Sequence, residues 1–339
     1  MRHVAAHILW ARGVVLFVCL IALLSYRPAW STQHRSKAVG MVTGPPTGTA
    51  FALGKEIAAI AIRHGLRILV KPSEGSLDNL RRLNSGENAA LAIVQADVLG
   101  YLNWSSEPAA RKIGTQLRMM FPLHHEEVHI LARKSIQQFT DLSDKRVIIS
   151  AQGSGTHLTA QRLLRLFDVT PAKLIDDLSP PEAVHAVLTD EADAMFHVGG
   201  KPVKLFVNLQ DVSSDPRYVE LMRKIHFVPL PHDKLNRIYP PVTIGPQDYG
   251  WLTNTVPTVA VETVLISFNF AHRQNDYFRM RCAQLATLGR ALREHLPELR
   301  RQGHPKWRDV KLSQPTSIWQ LDPCPCNNRW QRHRQRRPR

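Results

Sequence analysis

The feature that most constrains the fold is an alternation, from Lys37 onward, of short apolar β-like runs with longer helical patterns. That order is the signature of an α/β architecture with mostly parallel strands. Ala38 to Thr43 reads as a strand, Gly44 to Thr49 as a turn rich in Gly, Pro and Thr, and Phe51 to His64 as a helix carrying Leu53, Ile57, Ile60 and Ala61 on one face. Arg67 to Val70 is the next strand, Leu77 to Leu83 a helix capped by Ser76 and closed near Gly86, and Ala89 to Val94 a third strand ending at Gln95.

The plan then repeats. After Pro122, Val128 to Arg133 reads as a strand, and Arg146 to Ser150 as another. The loop Gln152-Gly153-Ser154-Gly155-Thr156 leads into a helix from His157 to Phe167, and a strand from Ala192 to His197 leads into Gly199-Gly200-Lys201-Pro202. Two similar modules, each with a Gly-rich strand-to-helix turn, predict a cleft between them, since ligands of open α/β sheets collect at the carboxyl ends of strands. The final third adds a strand from Thr258 to Phe268 and a long amphipathic helix from Asp276 to Arg300 that packs back on the first module.

Two loops are candidate ligand cradles. Thr43-Gly44-Pro45-Pro46-Thr47-Gly48-Thr49 opens a helix, so backbone N–H groups, the positive helix end and Thr hydroxyls can face an anion. The competing reading is a bare tight turn, in which Pro45 and Pro46 remove two N–H donors. Gly153-Ser154-Gly155-Thr156 offers the same donors from the other module, against helix capping alone. Gln95-Ala96-Asp97 and Glu74-Gly75-Ser76 with Asn79 either point polar groups into the cleft or only start helices.

Several catalytic motifs fail on inspection. The spacing from Gly48 to Gly54 and the Glu56 after Gly54-Lys55 exclude a nucleotide P-loop, and Ser154 lacks the frame of a nucleophile elbow. His125-Glu126-Glu127-Val128-His129 matches the metalloprotease pattern letter for letter, but zinc needs both His on one helix face. Here the flanking sequence is β-like, which sets the two His ~13 Å apart at ~3.3 Å per residue. Asp176-Asp177 read as solvated neighbours rather than a catalytic pair.

Compartment follows from the start of the chain. Arg2 and Arg12 precede an apolar run from Gly13 to Leu24, and small residues near Ser31 suit cleavage, the layout of a secretory signal spanning 1–31. The run is about half of the ~20 residues that a membrane span requires, so a cleaved signal is favoured over an anchor. Of the net charge of +16, three Arg fall in that segment and six in Asn327 to Arg339, neither containing an acid, which leaves a body near +7 with interspersed signs. A nucleic-acid-binding body is thereby disfavoured, and residues 311–339 are expected to be an irregular basic tail able to touch a membrane surface weakly. Cys324 and Cys326 lie close together in this tail and are expected at the surface, with no disulfide needed to hold the fold.

Taken together, Thr47-Gly48-Thr49 with Leu53-Gly54, Gly75-Ser76-Leu77-Asp78-Asn79-Leu80, Ser85-Gly86, Val94-Gln95-Ala96-Asp97, Glu126 with Val128-His129, Gly153-Ser154-Gly155-Thr156, Ala192-Asp193-Ala194 with Gly199-Gly200 and Pro202, and Val256-Pro257-Thr258-Val259-Ala260-Val261 resemble, from about Val39 to Val310, a known receptor family. It is the TAXI subgroup of receptors for tripartite ATP-independent periplasmic (TRAP) transporters. The resemblance implies a type II periplasmic-binding-protein-like fold, two α/β lobes joined by a hinge with a ligand cleft between them. It also implies a periplasmic receptor that hands an organic acid or acidic amino acid to TRAP permease subunits. The chain departs from the family where Pro45-Pro46 and Ala50-Phe51 replace a Gly-rich turn and a Tyr-Tyr pair, and where His124-His125 replace Tyr-Pro.

The resulting expectation is a first lobe of 37–127 plus 227–310 and a second of 128–226. Thr47, Gly48, Thr49, Phe51, Ser76 and Gln95 would contact the ligand from one side, and Ser154, Gly155, Thr156 and Gly199 from the other. No catalytic residue, metal ligand or cofactor is expected. A membrane-tethered sensory module and a transferase or lyase on the same fold remain the alternatives.

Overall fold

The central strands of this protein are apolar on both faces, and the computed structural model buries both. It describes residues 38–326, apart from 87–88, 107, 211–215, 231–234, 236–237, 274 and 314–318; the expected signal at 1–31 and the end of the basic tail at 327–339 lie outside the described residues. Consecutive side chains along a strand point to opposite faces. Along β1 (Val39–Val42), Val39 and Met41 join one apolar cluster while Val42 joins another. Such double-sided burial requires helices on both faces of the sheet.

Those helices follow in chain order. α1 (Thr49–Arg63) precedes β2 (Ile68–Lys71), α2 (Ser76–Ser85) precedes β3 (Leu91–Gln95), and α3 (Val98–Trp104) and α4 (Pro108–Gln116) lead into the 17-residue β4 (Leu117–Arg133). In the second half, β5 (Arg146–Ile148), α5 (Gly155–Leu166), β6 (Lys173–Ile175), α6 (Pro180–Leu188) and β7 (Ala194–Gly199) come next. After them come β8 (Ile225–Phe227), β9 (Pro241–Ile244), β10 (Val256–Phe268) and the 27-residue α7 (Asp276–Gln302).

The described strands join in the order β2-β1-β3-β10-β4-β7-β5-β6, with β8 on β4 and β9 on β10. β4 and β10 are antiparallel and run through both halves of the molecule. The first part of β4 pairs with the last part of β10, up to Leu117 opposite Phe268, and β10 continues there to β3. Past Glu126 and Glu127, opposite Val261 and Ala260, β4 turns instead to β7, from Glu127 opposite Gly199 to Ala132 opposite Ala194. Two strands are therefore the shared spine of two lobes. Each lobe has its own pair of cores: α1 and α7 cover one face of the first lobe's sheet, α2 and α3 the other, and α5 and α6 cover opposite faces in the second lobe.

The sequence predicts a fresh strand after Pro122, whereas β4 runs unbroken through it. Pro122 lies opposite Val264, beside a register shift between Glu262 and Val264, which is where a ladder tolerates a residue with no N–H.

The cysteine expectation needs correcting. Cys324 bonds to Cys282 of α7 and is buried. The chain just before it forms part of the first lobe: Met119 N–H donates to Gln320 O at 2.9 Å, Asp322 N–H to Met119 O at 2.7 Å, and the Trp319 indole N–H to Ala96 O at 3.0 Å. The irregular tail expected over 311–339 is thus interrupted at 319–324 by a docked segment. Two buried apolar groups, Trp319 and Cys324, hold it there, and the spacing of Cys324 from Cys326 carried no trace of that docking.

Candidate functional site

α1 and α2 start at the seam between the lobes. Gly48 is the N-cap of α1, and its N–H closes a turn on Pro45 O at 2.9 Å, so this amide is engaged within the loop. Thr47 is exposed on the same loop. Thr49 reaches the second lobe, its Oγ1 lying 3.0 Å from where a side chain on Gly200 would begin. Phe51, half-buried on α1, has the Lys55 ammonium 5.7 Å from its ring centroid.

Two glycine turns press against one another across the seam. Gly75 has φ 132°, a conformation open to glycine, and any Cβ there would stand 3.1 Å from Ser154 Cα and from Gly155 N. Leu77 and Asp78 N–H both donate to Gly153 O, at 3.2 and 3.3 Å. A side chain on Gly155 would collide with the Gln95 amide. The lobes thus meet backbone to backbone, through positions where a Cβ has no room.

Of the expected hydroxyl donors, several already have internal partners. Ser76 Oγ accepts from Gln95 N at 3.0 Å. Ser154 Oγ accepts from His157 N at 3.1 Å as the N-cap of α5, and Thr156 Oγ1 accepts from Val198 N at 3.0 Å, tying α5 to β7. Helix capping, the competing reading for Ser154, is what its geometry displays. Each of these hydroxyls keeps its proton for another acceptor.

Gln95 is the side chain on which the seam converges. Its Nε2 donates to Glu126 Oε2 at 2.8 Å, and its Oε1 accepts from Thr159 Oγ1 at 3.3 Å. Glu126, Glu127 and Gly199 then place the spine itself at the site. Burial pushes Glu126 up, but His124, 3.4 Å away, and the Gln95 amide more than offset it, leaving the carboxyl below its ordinary range. Glu127 is raised by burial in spite of Lys306, whose ammonium lies 2.7 Å from Oε1; its Oε2 accepts from Lys201 N at 2.7 Å. His197, beside Gly199, is lowered to about 4 by burial and is neutral. Glu262, opposite His125, is raised to about 7 by burial.

Sequence reasoning did not select Glu126, Glu127, His197, Gly200, Glu262 or Lys306 for the site. The Gly199-Gly200-Lys201-Pro202 turn was a usable signal for one of them, Gly200. Lys306 had none, because it reaches the spine from about 180 residues downstream of Glu127. A separate space of about 370 Å³ opens between Leu77 and Tyr101 of the first lobe and Gln152, His157, Gln161 and Asp176 of the second. None of the ten expected contact residues lines it.

The His-Glu-x-x-His run lies within β4. His129 is buried, its Nε2 2.8 Å from Tyr249 Oη, and burial holds it well below its ordinary range. It is a neutral core histidine, directed at a phenol rather than toward His125.

Two α/β lobes sharing two long antiparallel strands, with glycine turns facing across the seam, define a periplasmic-binding-protein-like fold of type II, the architecture of solute-binding proteins. The chain belongs to the NMT1-like family, whose sequence model matches residues 41–277. Solved structures similar to it include a histidine kinase sensor domain with similarity to periplasmic binding proteins, at 14% identity over 83% of this chain and 100% of that one, with TM-score 0.45. The GluR0 ligand-binding core from Nostoc punctiforme in complex with L-glutamate is 17% identical over 76% of this chain and 93% of that one, with TM-score 0.43. A putative periplasmic sulfonate-binding protein, SsuA, from Methylobacillus flagellatus KT is 11% identical over 83% and 76%, with TM-score 0.46. Among the described residues no helix is long and apolar enough to cross a membrane.

Proposed function

We propose that this protein is an extracytoplasmic solute receptor that closes its lobes on a small carboxylate-bearing ligand and presents it to a TRAP-type permease, without catalysing a reaction. The observation that carries the reading is the seam, where Thr49 faces Gly200 and Gln95 joins Glu126 to Thr159, so that donors and acceptors from both lobes converge. A ligand bridging them would favour the closed state by its extra contacts there.

The charge balance narrows the ligand. Lys306 is paired with Glu127 and Asp309, and Lys201 with Asp248. A carboxylate would therefore be held by neutral donors, the Thr49 hydroxyl and the helix start, while ionised Glu126 favours an ammonium. An acidic amino acid satisfies both ends better than a keto or dicarboxylic acid. The Cys282–Cys324 bond supports export, because disulfides persist in oxidising compartments.

The test is a thermal-shift screen of the exported protein against acidic amino acids, keto acids and dicarboxylates, followed by calorimetry and a search for product. A saturable rise in Tm with one class and unchanged ligand after hours supports the receptor. Steady conversion of the ligand would instead make it an enzyme, and a flat screen of folded protein would remove the ligand class.

A further inference from the structure

We infer that His64, Glu294 and His295 form a three-ligand site for a divalent transition ion, with zinc the best match, where the C-terminal end of α1 meets α7. Ligand atoms of all three residues lie within 4.8 Å of one another. The two imidazoles converge through their Nε2 atoms, 3.0 Å apart, and both rings are half-buried. Two nitrogens and one carboxylate oxygen, with a position left for water, is the donor set that zinc takes in open tetrahedral sites.

The surroundings are those of an oriented ligand. His295 Nδ1 lies 2.9 Å from Glu298 Oε2. A carboxylate accepts only a proton-bearing nitrogen, so Nδ1 carries hydrogen and, in the neutral ring, the Nε2 lone pair faces His64. This carboxylate–histidine pairing is what fixes ring and tautomer at metal centres. Arg63 bonds Glu298 at 2.8 and 3.0 Å, which holds that carboxylate behind His295 and leaves Glu294 as the third ligand. His64 is itself positioned as the C-cap of α1, its N–H on Ala61 O at 3.0 Å.

α1 runs from Thr49 at the seam to Arg63 beside this cluster, about 22 Å at 1.5 Å per residue. A bound ion would therefore clamp α1 to α7 within the first lobe without entering the solute site. The alternative for the same geometry is one ordinary N–H···N bond between two surface histidines.

Zinc chloride and cobalt chloride serve as probes of the full exported chain, purified without a histidine tag and stripped with chelator. The expected result is binding of one equivalent by calorimetry, a visible d–d band with cobalt, and a higher Tm with zinc. His64→Ala and His295→Gln should each abolish all three while keeping the wild-type circular dichroism and metal-free Tm. Glu298→Gln should weaken binding roughly 10- to 100-fold, the usual loss for an outer-shell partner. Absence of binding in the wild type overturns the proposal, as does wild-type affinity in both histidine variants, which would place the metal elsewhere in the chain.

Discussion

The Tyr239 phenol donates to Asp97 Oδ2 at 2.7 Å, joining a side chain of the second lobe's core to the end of β3 in the first. Thr159 Oγ1 donates to the same oxygen at 3.0 Å. Burial pushes Asp97 up, opposed by the bonds and charges around it, Tyr239 first. This carboxyl is thus a buried acceptor whose two hydroxyl donors both come from the opposite lobe.

Tyr239→Phe takes away one of those donors and leaves the acceptor buried. The variant should lose about 1 to 3 kcal/mol, the cost of an unmet buried polar group. A lower urea midpoint with an unchanged slope checks it. Small-angle scattering of the unliganded variant should also give a larger radius of gyration, since the bond spans the seam.

Cys282→Ser should destabilise strongly, because the bond closes a separation of 42 residues. The chain-entropy relation puts the loss at about 4 kcal/mol. Reductant should lower the Tm of the wild type to that of the variant and leave the variant unmoved; equal Tm values without reductant would exclude the bond.

Glu262 makes stability fall with rising pH. Its carboxyl is raised from the ordinary 4.5 to about 7 by burial, so the folded state holds its proton where the unfolded chain has released it. The contribution is largest below about 4.5 and is lost as pH climbs through about 7. Glu262→Gln should flatten the decline in Tm between those limits and leave the remaining profile in place.

Thr156 and Thr49, which look equivalent as loop hydroxyls, should separate experimentally. Thr156→Val removes the acceptor for Val198 N–H, so we expect a loss of about 1 to 3 kcal/mol of stability even without ligand. Thr49→Val should leave the stability of the unliganded protein within about 0.5 kcal/mol of wild type and lower ligand affinity. Unfolding curves with and without the ligand found by screening read both effects.

Lys306→Met strands Glu127, both side chains being almost fully buried. Removing one partner of such a pair costs about 3 to 5 kcal/mol. Adding Glu127→Gln should restore part of it, as a double-mutant cycle in urea would show.

Much of the architecture was legible because it is local. Alternating apolar runs, the Gly86 helix end and the two glycine turns specify strands and helices from neighbours in sequence, and their order specifies an α/β fold with opposed loops, whereas Ser76, expected as a cap, is the first residue of its helix. The β-like residues after His125 likewise exclude a helical His-Glu-x-x-His run, since Val128, Ile130 and Leu131 suit a strand. Pro122 misled for the same local reason, as its tolerance within β4 depends on the register of β10.

The site was legible only as a set of addresses. Composition and spacing marked Thr49, Gln95, Ser154, Gly155, Thr156 and Gly199, but a hydroxyl or amide takes whichever partner the fold brings within about 3 Å. Only tertiary structure could give Thr156 to Val198, Ser76 to Gln95, Lys306 to Glu127, and Cys324 to Cys282 rather than to the surface. Hydrogen bonds, ion pairs and disulfides are short-ranged in space but joined here across 19 to 179 positions of chain, and no window of sequence contains both ends.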